Sequence, residues 1–258
     1  MNLSKNIKWI YILTFVFIVA NAVCMFKEFY YLNLIPAALL IILLALFSLD
    51  RLILLVVFLT PLAINLQHLE GGLGLSLPTE PIIFGIMIIF ILKQLHQSTF
   101  DKEVIKHPIT ISIIIYLTWI FVTSITSELP VVSFKFLISR LWYILVFYFL
   151  GIQLFKEYSN IKKFIWLYIS AFVLVIFYTI YNHSLYGFEK EPANYVMSPF
   201  YNDHTVYGAM LAMFFPALLF FTMNKKYSAI IKFMATLVFA IFIVALVLSY
   251  TRAAWLSL

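Results

Sequence analysis

The sequence predicts an all-α fold: a polytopic transmembrane helical bundle of about nine full spans and the start of a tenth, with a cytoplasmic amino terminus. Three observations carry that prediction. The chain of 258 residues is 64% apolar and only 11% charged, whereas a soluble surface carries about 25–35% charged residues. Apolar runs long enough to cross a bilayer recur along the whole chain. Lysines and arginines gather in short connections between those runs, the pattern that orients helices in a membrane. The runs are continuous and do not alternate apolar with polar, which excludes a β-barrel.

Residues 1–8 form a short basic head, and residues 9–25 are the first span. Ala20, Asn21 and Ala22 look like a signal-peptidase site, and Cys24 follows. Val23 is wrong for a lipobox, and the later spans favour a retained first helix. Residues 34–49 are the second span, with Pro36 near its start, and Asp50 and Arg51 make a charged turn. Residues 52–66 are a short third span. Residues 67–81 form a Gly-rich connection that includes His68. It is either a plain loop or a re-entrant piece.

The fourth span is 82–95, followed by a basic connection over 93–108. The fifth is 109–125, punctuated by Glu128 and Pro130. The sixth is 136–155, with Arg140 in its first turns. After basic residues 156–163 comes the seventh, 164–181. Residues 182–205 are the longest polar connection and are expected to face the periplasm. The eighth span is 206–223, a basic turn covers 224–226, and the ninth is 230–248. Residues 249–253 form a turn, and 254–258 open a further apolar segment. A half-helix cannot span a bilayer, so the expectation is a single transmembrane domain over 1–258 that is incomplete at its carboxyl end.

With the amino terminus inside, only Lys27, Lys135, Arg140, Lys190 and Arg252 of the 17 lysines and arginines face outward. The opposite topology violates the positive-inside rule at nearly every loop. The net charge of +6 is therefore an orienting charge and does not mark a nucleic-acid partner. The lone Cys24 permits no internal disulfide. No internal repeat shows convincing self-similarity, which weighs against a transporter built from inverted repeats.

Polar chemistry concentrates in two outward stretches. Asn202, Asp203, His204 and Thr205 precede an apolar helix. Such residues cap the free amides of a first helical turn. The same helix end also offers oriented N–H donors to an anion. Ser249, Tyr250, Thr251 and Arg252 end the ninth span. Arg252 is either an interfacial arginine snorkelling to headgroups or a phosphate clamp, because a guanidinium fork matches phosphate oxygens and stays charged. Arg140 lies inside a span, where a charge costs at least a few kcal/mol. It either snorkels to the interface or supplies a second cation to an anionic headgroup. These two stretches and Arg140 are expected to face one cavity. Tyr195, Tyr201 and Tyr207 could stack on sugar rings or anchor the interface. His68, His183 and His204 show no close spacing, and no metal site or nucleotide loop is evident.

Residues 198–216, with Asn202 and Asp203 opening a helix and Pro216 further along it, are followed by one basic turn, one span and the stretch 248–255 around Thr251 and Arg252. This arrangement resembles the O-antigen ligase and polymerase superfamily. In that family an Asn-containing motif opens a helix and a Ser/Thr-Arg-Gly/Ala motif ends the next span. The resemblance covers roughly 134–258 in pattern, and its strength lies in the two motifs. It implies a bacterial inner-membrane enzyme that moves a glycan from undecaprenyl diphosphate onto lipid A–core, a growing polysaccharide or a protein. It implies that Arg252 holds the diphosphate, and that Arg140 looks like a second arginine of an earlier helix. Asn202, Asp203 and His204 fall in the first motif. The family's large periplasmic loop, with its functional histidine, lies beyond Arg252, so the resemblance implies that a chain ending here is inactive alone and leaves the catalytic residue unassigned. It implies no cofactor, and membrane lipids as surroundings. A carrier or channel for a small anion or solute, and a non-catalytic scaffold, remain the alternatives.

Overall fold

A backbone in lipid must satisfy its own amides and carbonyls, and a single segment can do so only as a helix. Twelve α-helices follow one another in the computed structural model, which describes residues 3–28, 30–65, 76–97 and 102–257. The chain divides into two units, Met1–Leu52 and Ile53–Leu258.

The first unit holds α1 (Leu3–Phe26), a 3-10 turn (Tyr30–Asn33), α2 (Leu34–Phe47) and the beginning of α3 (Leu49–Leu59). Asn21 Nδ2 donates to Asn33 Oδ1 at 2.7 Å, tying α1 to the turn before α2. Phe15, Leu39 and Phe47 are exposed, so the outer faces are apolar.

The second unit continues from α3. The expected third span is a helix, a turn and a strand: α3 stops at Leu59, a 3-10 turn covers Thr60–Leu62, and β1 is Ile64–Asn65. Pro61 in that turn brings no amide for a further helical bond. Strand β1 pairs antiparallel with β2 (Ser76–Leu77), Ile64 opposite Leu77. Residues 66–75, including His68 and most of the Gly-rich connection, lie outside the described residues.

The helices α4 (Thr79–Gln97), α5 (Lys102–Lys106), α6 (Pro108–Ile125) and α7 (Pro130–Tyr143) come next. A π-helical segment (Ile144–Leu150) joins α7 to α8 (Gly151–Phe155), so one continuous helical rod runs from Pro130 to Phe155. The rod starts six residues before the expected sixth span. Pro130 occupies the first helical turn, where a proline has no amide to waste and its fixed φ suits the helix. The last four helices are α9 (Tyr158–Ser184), α10 (His204–Met223), α11 (Ala229–Leu248) and α12 (Arg252–Leu256).

Among the described residues, six helices are long and apolar enough to cross a membrane: Thr79–His96, Pro108–Ile125, Pro130–Phe155, Tyr158–Ser184, His204–Met223 and Ala229–Leu248. Thr14–Phe26 and Tyr31–Phe47 are apolar but shorter. Between 17% and 39% of each crossing segment is buried by protein. The remaining apolar surface needs lipid against it.

The best-covered core lies where α9, α10 and α11 meet. Phe172 is its hub, with ring centroids of Tyr201, Tyr207 and Phe242 at 5.6, 5.7 and 5.6 Å. The contacts with Tyr207 and Phe242 are edge-to-face, which suits the ring quadrupole. The basic turns collect at one end of this unit, where Lys162 Nζ stands 4.9 Å over the Tyr227 ring. The polar connection after α9 and the turn after α11 collect at the other end, where Tyr250 Oη donates to the Phe188 carbonyl at 3.0 Å.

Candidate functional site

Helix α10 begins as local sequence rules dictate. Asp203 is extended (φ −152°, ψ 164°), and its Oδ1 accepts from the amides of Thr205 at 2.7 Å and Val206 at 3.0 Å. The Val206 amide first, with help from Thr205, holds the Asp203 carboxyl below its ordinary range. The cap also occupies two of the donors that the helix end could have offered an anion. Loss of such a cap costs about 1 kcal/mol. Asp203→Ala is therefore expected to lower the thermal midpoint of the purified protein, and Asp203→Asn to match the parent at neutral pH. Because the folded carboxyl titrates below the unfolded one, the cap is fully present above about pH 4. It is lost as pH falls through the lower, folded value. A parent–Ala difference that persists unchanged at strongly acidic pH counts against the cap.

The second motif docks onto this helix. Thr251 Oγ1 donates to the His204 carbonyl at 2.8 Å, and Ser249 Oγ accepts the Thr251 amide at 3.3 Å. Gly208 permits the approach. A Cβ there would stand 2.7 Å from Thr251 Oγ1 and 2.8 Å from Thr251 Cβ. Tyr250 takes a left-handed conformation (φ 52°) to make the turn.

Beside this junction lies a groove of about 420 Å³ lined by Thr205, Ala209, Ala212, Met213, Thr251, Ala253, Ala254 and Ser257. Both motifs thus contribute to one hollow. Arg252 sits between two lining residues, at the first position of α12, with its side chain exposed. Asn202 is exposed just before the cap. His204 opens α10 half-buried, and its Nδ1 has no hydrogen-bond partner.

Arg140 belongs elsewhere. It is the eleventh residue of the rod that starts at Pro130, about 15 Å along it at 1.5 Å per residue. Its side chain is exposed, and the guanidinium stands 4.8 Å over the Phe136 ring, one turn back toward the start of α7. Helix α7 packs on α4 and α6, whereas α12 packs on α10 and α11. Neither Arg140 nor Arg252 lines any of the four hollows found on these helices, so none of the four joins them. The expectation that both arginines line one cavity is not met.

The three tyrosines also part ways. Tyr207 is 1% exposed, packed on Phe172 and Tyr201, so it is closed to a sugar. Tyr201 lies in contact with Tyr168, their phenol oxygens 3.4 Å apart. Burial above all, then Tyr168, keeps the Tyr201 phenol protonated, far above its ordinary range. Tyr195 is exposed, its ring edge-on to Tyr186 at 6.1 Å.

Two residues to which the sequence reading gave no role of their own organise this end. His183 is buried, its Nε2 2.7 Å from the Glu189 carbonyl and its ring against Phe188 and Tyr250. It lies four residues after the buried Thr179 and seven after the buried Ile176. That spacing puts it on the inward face of α9, a signal the sequence did carry. Tyr250 gives no such signal, because its partner Phe188 is 62 residues away.

Length, composition and exposed apolar faces together define a multi-pass helical membrane protein. No protein-family model matches the chain, and neither a curated protein nor a solved structure shows significant similarity to it.

Proposed function

We propose that this protein transfers a glycan from undecaprenyl diphosphate to an acceptor, a lipid A–core, a growing polysaccharide or a protein, as O-antigen ligases and polymerases do. The observation that supports this reading is the shared groove: Thr205 of the first motif and Thr251 and Ala253 of the second line one hollow next to Arg252. The pairing is what a two-part headgroup site at the outer interface would need. The reading assigns Arg252 to the diphosphate, where its fork stabilises the charge that develops on the leaving group. Asn202, Asp203 and His204 shape the neighbouring wall. Arg140 enters this reading only as a second cation on a different group of helices.

The proposal includes a bacterial inner-membrane location, an inward amino terminus and a periplasmic groove. It also includes nine crossings, which requires α1, α2 and the α3 segment to traverse as well as the six long helices. The reaction is attack by an acceptor hydroxyl on the anomeric carbon, with the lipid diphosphate leaving and the hydroxyl proton passing to a general base. Deletion of the gene is expected to make undecaprenyl-diphosphate-linked glycan accumulate. Loss of solute uptake in vesicles with an unchanged lipid-linked pool would replace this reading by a carrier.

A further inference from the structure

A narrow hollow of about 40 Å³ lies where two crossing segments end together. Phe90 and Gln94 line it from α4, Val104 from α5, Phe149 from the π-helical segment, Gln153 from α8, and Lys156 from just beyond α8. Gln94 is two residues short of the end of the segment Thr79–His96, and Lys156 directly follows the segment Pro130–Phe155. The hollow therefore sits at the level where acyl chains give way to headgroups. One wall is fixed: Thr110 Oγ1 donates to the Val104 carbonyl at 2.6 Å and stands 2.7 Å from Tyr148 Oη, which pins α5 to α6 and to the π-helical segment. π-Helical turns inside a helix occur frequently at functional sites.

Gln94 is 7% exposed. Among the described residues its carboxamide meets no hydrogen-bond partner, yet neither of its polar atoms is sealed off from access. A buried amide is costly in that state unless something in the hollow meets it. Gln153, exposed at the mouth, carries a second amide with no partner among the described residues. At about 10–15 Å³ for each water-sized group, the hollow takes about three such groups, the end of a glycerol rather than a ring. The connections over 93–108 and 156–163 hold six lysines against Asp101, Glu103 and Glu157, of which Asp101 lies outside the described residues. Lys156 and Glu103 have interactions of their own. Lys102 and Lys106 are exposed on the short helix that carries Val104, and their four-residue spacing puts them on one face.

We infer that this hollow binds the headgroup of an anionic, hydroxyl-bearing phospholipid of the phosphatidylglycerol class. A glycerol hydroxyl both donates and accepts, as a carboxamide does, so the amides of Gln94 and Gln153 each suit one. The phosphate stays outside the hollow, in the field of Lys102 and Lys106. Basic pockets between membrane helices hold anionic headgroups in this way. An ethanolamine headgroup brings an ammonium that the lysines repel. The inference is independent of glycan transfer, because it is read on lipid binding alone.

The test titrates the full chain in detergent micelles with phosphatidylglycerol, phosphatidylmethanol or phosphatidylethanolamine, and bound lipid is counted by native mass spectrometry. Phosphatidylmethanol carries the same phosphate charge without the glycerol hydroxyls. Phosphatidylglycerol is expected to bind saturably and about tenfold or more tighter than either of the others. Gln94→Leu should remove that preference over phosphatidylmethanol, whereas the double variant Lys102→Ala, Lys106→Ala should weaken both anionic lipids alike. Leucine has no amide to satisfy, so Gln94→Leu is expected to melt at or above the parent. Gln153→Leu, at an exposed position, should also reduce the preference, and it keeps the test readable if Gln94→Leu does not fold. Millimolar sn-glycerol 3-phosphate should leave the bound lipid in place. Four outcomes overturn the site: no saturable phosphatidylglycerol, equal binding of phosphatidylglycerol and phosphatidylmethanol, glutamine variants that keep the preference, or displacement by the soluble phosphate, which would make a free phosphoglycerol the ligand.

Discussion

Gly208→Val is expected to be the most damaging single substitution in α10. The first side-chain carbon would have to share space with Thr251, whose Oγ1 and Cβ would stand 2.7 and 2.8 Å away. Thr251 is 4% exposed and pinned by its bond to the His204 carbonyl, so it has little room to retreat. Forcing extra carbons into such a junction costs about 1–3 kcal/mol. Alanine returns about 1 kcal/mol of that as a better helix former than glycine. Valine adds two methyl groups and returns less. The thermal midpoint of the purified protein should fall in the order parent, Gly208→Ala, Gly208→Val. Pairing Gly208→Ala with Thr251→Gly should recover part of the loss, because the clash is mutual. A Gly208→Val protein that melts like the parent would mean that Thr251 does not sit where the structure has it.

The second large effect concerns activity without stability. Arg252→Ala is expected to abolish glycan transfer while membrane insertion and melting stay as in the parent. Exposed positions away from caps and cores change stability within about 0.5 kcal/mol, and the Arg252 side chain is exposed. Removing one preorganised donor from a developing negative charge lowers a rate by about 10²–10³. Arg252→Lys keeps the charge and loses the planar fork, so it should fall between the two. Lipid-linked glycan accumulating with Arg252→Ala and clearing with the parent would fit the assignment. Wild-type surface glycan in the alanine strain would remove Arg252 from the reaction.

Much of the fold was legible wherever the signal was local. Apolar runs at 109–125, 206–223 and 230–248 became α6, α10 and α11 within two residues at either end. The cap at Asp203 was legible too, because a capping carboxylate reads its own next three residues. Pro130 was read as a stop, although a proline in the first turn begins a helix as readily as it ends one. The third run was apolar but short, and Pro61 and the strand Ile64–Asn65 end its helix sooner still. The junction of His204 with Thr251 spans 47 residues, and that of Tyr143 with Glu80 spans 63. No periodicity reports contacts at such separations. The same limit explains Arg140. Its place within an apolar run was legible, but its neighbours followed from how α7 packs on α4 and α6.

The π-helical stretch Ile144–Leu150 has a geometric consequence for the rod that contains it. A residue inserted into a regular helix advances the spiral by about 100°. A helical wheel drawn unbroken from Pro130 to Phe155 therefore misassigns everything past the widened coil. The two halves are free to answer to different neighbours: α7 to α4 and α6, and α8 to α9. One crossing thus behaves as two short cylinders welded out of phase, the widened coil serving as the joint between two packing alliances.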